Sequence, residues 1–197
     1  MTIEFILFDA RIRLGFGFFL IPALVLCFES GGYFLPIMLA YTVHEFGHII
    51  AAKLCGMKIT EIRFGALGIQ MKGNTQALPR LRRAAISLSG PLMNFLFFTL
   101  LLPFGSSWYG AEILLFIFHI LPAVPLDGGM ALYSVLCTAV CERTAARCCI
   151  AVSVLISFML GVLGFSVLLR TKGNFTILLT ASYILIYILK KHREDLC

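Results

Sequence analysis

The chain has 197 residues, 60% apolar and only 13% charged, with a mean hydropathy of +0.96. Soluble domains are about 45–50% apolar, so the composition excludes a soluble globular protein and points to a polytopic membrane protein. The net charge of +6 does not indicate a nucleic-acid partner, because the basic residues flank apolar segments rather than forming one patch.

A helix crossing a bilayer takes about 20 apolar residues. On that measure the chain reads as six spans, at 14–28, 33–54, 84–104, 111–140 with a break, 146–169 and 174–189. The first is short and is expected to start within Ile12-Arg13. Met1 to Asp9 is apolar with two acids; it lacks a basic start and a small-residue cleavage site, so no removable signal peptide is expected. With both termini cytosolic, fourteen Lys and Arg lie on the inner side and two, Arg170 and Lys172, on the outer side. That asymmetry sets the expected orientation. It also implies contact with anionic lipid at the cytosolic face. An integral membrane protein of the cell membrane is therefore expected. The seven cysteines are scattered, with no metal-like spacing, and read as small buried hydrophobes in a reducing setting.

The second span carries His44-Glu45-Phe46-Gly47-His48. Ionisable groups inside a membrane segment are costly and mark function. Positions i and i+4 share one helix face, so both imidazoles can converge on one ion. H-E-x-x-H is a zinc-binding pattern in which the glutamate serves as general base.

Gly56 to Arg83 is the longest polar stretch. Its segments 58–64 and 68–72 alternate in part around Gly65-Ala66-Leu67, which predicts a β-hairpin or small sheet. The segment reads either as an ordinary cytosolic hairpin or as an exposed edge that pairs with an extended peptide. The third span holds Ser89-Gly90-Pro91-Leu92-Met93-Asn94. Small residues there permit close helix approach, and Asn94 suits an interhelical hydrogen bond.

The fourth span runs from Glu112, read as lying at its outer end, through His119 to Leu121-Pro122-Ala123-Val124-Pro125-Leu126-Asp127-Gly128-Gly129. Two prolines and two glycines in that stretch interrupt a helix, and broken membrane helices line sites. Asp127 sits at the break. Catalytic zinc takes three protein ligands and keeps one position for water; His44, His48 and Asp127 provide such a set. Glu45 lies beside that face and can take the water's proton.

These segments together resemble the site-2 protease family of intramembrane zinc metalloproteases. The resemblance rests on His44–His48, Ser89–Asn94 and Leu121–Gly129, and covers about residues 33–140. The first span also looks like that of the sporulation branch, which processes membrane-tethered sigma-factor precursors. The resemblance implies a single membrane-embedded peptidase domain over 1–197. It implies zinc on His44, His48 and Asp127, with Glu45 as base. It places Asn94 near the active site, in contact with the peptide or oxyanion, and makes 56–72 the β structure that receives substrate. Where the family usually has asparagine, this chain has His119, eight residues before Asp127. His119 can take over that residue's hydrogen bonds, act as an outer partner of a ligand, or be a fourth ligand. The expected partners are a membrane-tethered protein substrate and a membrane regulatory protein. The expected architecture is all-α with about six spans, a broken fourth span and a small β element between spans two and three. The competing readings are a membrane metal-ion transporter and a catalytically silent scaffold. The fifth and sixth spans lack acid and histidine in their apolar parts, which disfavours a transport path. An intact Glu45 disfavours the scaffold.

Overall fold

The computed structural model describes residues 2–7, 10–15, 32–65, 68–104, 106–171 and 175–194. Strands β1 (Thr2–Leu7) and β2 (Ala10–Gly15) precede helix α1 (Phe34–Leu54). Strands β3 (Ile59–Gly65) and β4 (Gly68–Gly73) follow, then helices α2 (Arg80–Leu101), α3 (Ser106–His119), α4 (Asp127–Ala139), α5 (Glu142–Thr171) and α6 (Thr176–Glu194). The chain divides into two compact units, Met1–Ile117 and Phe118–Cys197.

Among the described residues, α1, α2 and α5 are long and apolar enough to cross a membrane, and α3 and α6 contain the shorter apolar stretches Trp108–His119 and Thr176–Lys190. This is the make-up of an integral membrane protein. The expected break in the fourth span is present: α3 stops at His119 and α4 starts at Asp127. The expectation for the first span needs correction at its start. Residues 10–15 form strand β2, not the beginning of a helix. The alternation Arg11-Ile12-Arg13 suits a strand with two unlike faces better than a lipid-facing helix. The rest of that span, 16–31, lies outside the described residues.

In the first unit, α1 is apolar apart from Thr42, the His44-Glu45 and His48 group and Lys53 near its end. Its Pro36 falls in the first turn, where an absent N–H breaks no intrahelical bond. The helix ends because Gly56 adopts φ +79. Gly56 N–H donates to Lys53 O at 3.0 Å and Met57 N–H to Ala52 O at 2.9 Å, the paired bonds of a Schellman cap. Ala52 and Met57 then pack with Leu78 and Ile86, and Ile59 and Met71 of the sheet lie against them. That small core joins the end of α1, the start of α2 and the strands.

The expected hairpin is β3–β4, and it is half of a larger sheet. Four strands run in the order β1-β2-β3-β4. β1–β2 and β3–β4 are antiparallel, whereas β2 and β3 pair in parallel with Arg11 opposite Glu61. The parallel pair is tied by charge. Glu61 Oε1 receives Arg13 Nη1 at 3.1 Å and Arg63 Nη2 at 3.0 Å, and Lys72 Nζ lies 3.8 Å from Oε2. Arg13 Nε also reaches Glu4 at 2.9 Å.

In the second unit, the 120–126 connection is held by α5 and α6. Ala123 and Leu126 pack on Ile184 and Ile188 of α6, with Ile150, Ile156 and Leu160 of α5 alongside. Val124 N–H donates to Ser153 Oγ at 2.8 Å, and that hydroxyl donates to Cys149 O at 2.6 Å. A non-helical backbone donor is thus satisfied by protein, as apolar surroundings require.

Partial desolvation pushes the Glu61 carboxyl up. The Arg63 hydrogen bond and the charges of Arg13, Lys72 and Arg63 outweigh it and hold the group below the ordinary glutamate range. A depressed folded-state value contributes stability that is complete above the ordinary range and lost as pH falls through the depressed value. The protection factors of the β2 and β3 amides, which correct for intrinsic exchange, should therefore fall on acidification to about pH 3. Glu61→Gln should speed exchange at neutral pH and flatten that acid dependence; an unchanged profile would exclude a role for this carboxylate in sheet pairing.

Candidate functional site

His44, Glu45 and Gly47 lie on the buried side of α1, and His48 is half-buried one turn after His44. The helical rise puts both imidazoles on one face, and α2 decides how they are held. His44 Nδ1 lies 2.7 Å from Asn94 Oδ1. His48 Nδ1 lies 2.8 Å from the backbone O of Ile86. A carbonyl oxygen only accepts, so each Nδ1 carries hydrogen and donates. A neutral imidazole then presents a lone pair at Nε2. The two Nε2 atoms are 3.2 Å apart.

Two nitrogen lone pairs at that distance repel unless a cation lies between them. An imidazolium in an apolar helix pays a large desolvation cost. A metal ion shared by neutral imidazoles avoids it, and imidazole nitrogen is a donor that zinc favours. The donor set therefore fits a bound divalent metal, with its outer hydrogen bonds already made.

The assignment of the Asn94 amide is fixed by its other neighbours. Its Nδ2 donates to Ala40 O at 2.9 Å and to Glu112 Oε2 at 2.6 Å. That leaves Oδ1 for His44. Both Asn94 and Glu112 are fully buried. Glu112, read at the outer end of its span, has its side chain packed inside the first unit against α2. Both Nδ2 hydrogens of Asn94 are engaged within the protein.

Ile86 O also accepts the Ser89 hydroxyl at 2.6 Å. Pro91 stands inside α2 in the following turn and withdraws one backbone donor from the ladder. Gly90 is required for a steric reason. A Cβ there would lie 2.4 Å from His48 Nε2 and 2.9 Å from His44 Cε1. Glu45 is buried beside the histidine face, and the Tyr41 hydroxyl one turn earlier is hydrogen-bonded to it.

In the second unit, Asp127 opens α4 after the extended Leu126. Asp127 Oδ2 and His119 Nδ1 are 2.6 Å apart, so His119 donates to the carboxylate from that nitrogen. The two glycines that follow are demanded by space. A Cβ on Gly128 would meet Ile120 O at 2.2 Å, and one on Gly129 would meet the Ala123 carbonyl carbon at 2.4 Å. The start of α4 thus tucks under the 120–126 backbone, and Asp127 is held there.

Residues 32–110 match the model of Peptidase family M50. The matched stretch contains His44, Glu45, His48 and Asn94 and stops before Glu112, His119 and Asp127. The fold is similar to that of the Site-2 Protease from Methanocaldococcus jannaschii, at 21% identity and a TM-score of 0.67, over 96% of this chain and 94% of that one. At that identity the likeness is one of fold. No curated protein matches the chain.

Of the residues singled out in the sequence, His44 is hydrogen-bonded to Asn94, His48 faces His44, and Glu45 stands beside them on α1. His119 and Asp127 form a second pair. Sequence reasoning passed over Tyr41 and Glu112. Tyr41 was findable, because it stands at i−4 from Glu45. Glu112 was not, because only packing of α3 against α2 reveals its partner.

Gly90→Ala should leave α2 helical but displace the imidazoles. Metal affinity is expected to fall by about 100-fold or more, since the clash is with ligand nitrogen rather than a flexible chain end. Competition with a chromophoric chelator measures this, and unchanged affinity would show that the pair does not hold metal in this geometry.

Proposed function

We propose that the protein is an intramembrane zinc metalloprotease that hydrolyses a peptide bond within or next to a transmembrane segment of a membrane-tethered protein. The observation carrying this reading is the imidazole pair: both Nδ1 atoms are committed as donors and the Nε2 atoms face each other at 3.2 Å. The M50 match over 32–110 and the site-2 protease fold support it. The ligand set is His44, His48 and Asp127, each offering one atom, which leaves a position for water.

Bound zinc supplies Lewis acidity and lowers the pKa of a water toward about 7. The protein's own groups do the rest. Glu45 accepts the attacking water's proton and delivers it to the leaving amide nitrogen. Tyr41 orients Glu45 through its hydroxyl. His119 orients Asp127 through Nδ1, acting as an outer partner of a ligand rather than a fourth ligand. Within this class, processing of a sigma-factor precursor is the narrower reading, supported by the likeness of the first apolar segment to the sporulation branch. The basic asymmetry supports cytosolic termini in the cell membrane, an inner face against anionic lipid, and a cut near the inner leaflet. Regulation is assigned to a membrane partner.

Co-expression with single-span candidate substrates tests the reading. Glu45→Gln keeps shape but cannot accept a proton, so cleavage should drop by about 100-fold or more with zinc content retained. Asp127→Ala should lose zinc as well as cleavage. Glu45-dependent zinc flux into vesicles, without proteolysis, would replace this reading with a transporter.

A further inference from the structure

Glu112 is a buried ionisable group that the proposed chemistry does not use. It lies on α3 and is fully shielded from solvent. One carboxyl oxygen, Oε2, accepts from Asn94 Nδ2 at 2.6 Å. The other, Oε1, is buried without a hydrogen-bond partner among the described residues. A carboxyl placed in apolar packing and half satisfied is a poor stabiliser. Among the described residues its hydrogen bond leads to Asn94, and from there to His44.

We propose that Glu112 is a positioning residue that sets the tautomer of His44 through the Asn94 amide. The inference rests on the metal-ligand reading of His44 given above. An amide presents oxygen on one side and NH2 on the other, and the two are nearly isosteric. Which side meets His44 decides which imidazole nitrogen can act as ligand. With oxygen toward His44, Nδ1 carries the hydrogen and Nε2 keeps its lone pair. With NH2 toward His44, Nδ1 must accept, and the hydrogen moves to Nε2. Two acceptors hold the amide in the first orientation: Ala40 O at 2.9 Å and Glu112 Oε2 at 2.6 Å. Glu112 is the nearer of the two, and it is the one a side-chain substitution removes. The chain Glu112–Asn94–His44 thus does with an amide what a carboxylate does when it contacts a ligand histidine directly.

The test compares Glu112→Met, which fills the space without an acceptor, and Glu112→Gln, whose side-chain oxygen still accepts. Full-length protein is purified in detergent, stripped of metal and labelled with nitrogen-15 in histidine. Zinc affinity is read by chelator competition, and the His44 tautomer from its ring nitrogen shifts without metal. Glu112→Met should lower zinc affinity about 10- to 100-fold and populate the His44 tautomer protonated at Nε2. Glu112→Gln should keep both properties at the wild-type level. Wild-type affinity and tautomer in Glu112→Met would overturn the proposal. Equal impairment in Glu112→Gln would also overturn it, because the acceptor would then not be what matters. If Glu112→Met does not fold, Asn94→Asp probes the same link. The introduced carboxylate would face the Glu112 carboxyl without a donor, so zinc affinity should fall and should recover when Glu112→Gln is added. No recovery would overturn the proposal. The tautomer is read in zinc-free protein, so the relay can fail while the wild type still binds zinc and cleaves. A wild type that binds no zinc would instead remove the metalloprotease reading.

Discussion

Two imidazoles turned toward each other inside an apolar helix are the constraint on which the rest of this structure depends. Each needs a hydrogen-bond acceptor at Nδ1, and neither acceptor is on its own helix. Asn94 and the Ile86 carbonyl come from α2. Leaving a buried donor unmet costs about 1–3 kcal/mol, while a net hydrogen bond returns only about 1 kcal/mol. The arrangement therefore gains little stability. What it secures is a pair of fixed, unprotonated nitrogens, a donor set that suits a metal ion.

Much of the first unit follows from bringing α2 to that position. Gly90 leaves the space the imidazoles occupy. Pro91 and Ser89 shape the turn whose Ile86 carbonyl receives His48. The left-handed Gly56 stops α1 and turns the chain into β3, and the core of Ala52, Met57, Leu78 and Ile86 fixes the end of α1 to the start of α2. The sheet is joined to the same core through Ile59 and Met71. Charge then ties β2 to β3, with Glu61 shared by three cations.

The second unit solves the same problem with other means. A broken helix exposes backbone groups that lipid cannot satisfy. Here Ser153 of α5 takes the Val124 N–H, and α6 covers Ala123 and Leu126. The carboxylate at the break, Asp127, is met by His119 at the end of the preceding helix. Both units thus hold a candidate ligand by a hydrogen bond from outside the ligand itself.

The sequence alone determined what depends on local spacing and composition. The i, i+4 histidines needed only helix geometry, and the break at 120–126 only the chemistry of proline and glycine. The β3–β4 hairpin followed from alternation around a glycine. Tertiary structure decided what depends on residues far apart in the chain. The sheet has four strands because β2 pairs with a strand about 50 residues later, a contact seen in Arg13 and Glu61, 48 positions apart; nothing local marks that pairing, and a helix was expected to start within Ile12-Arg13. Glu112 was read at the outer end of its span because it is the second residue of the apolar segment 111–140. Packing of α3 on α2 makes it the partner of Asn94, 18 positions away. Asn94 itself was legible as a polar residue in a span, but the face of its amide turned to His44 was not. An amide's orientation is set by the acceptors on its far side, and those come from two other helices.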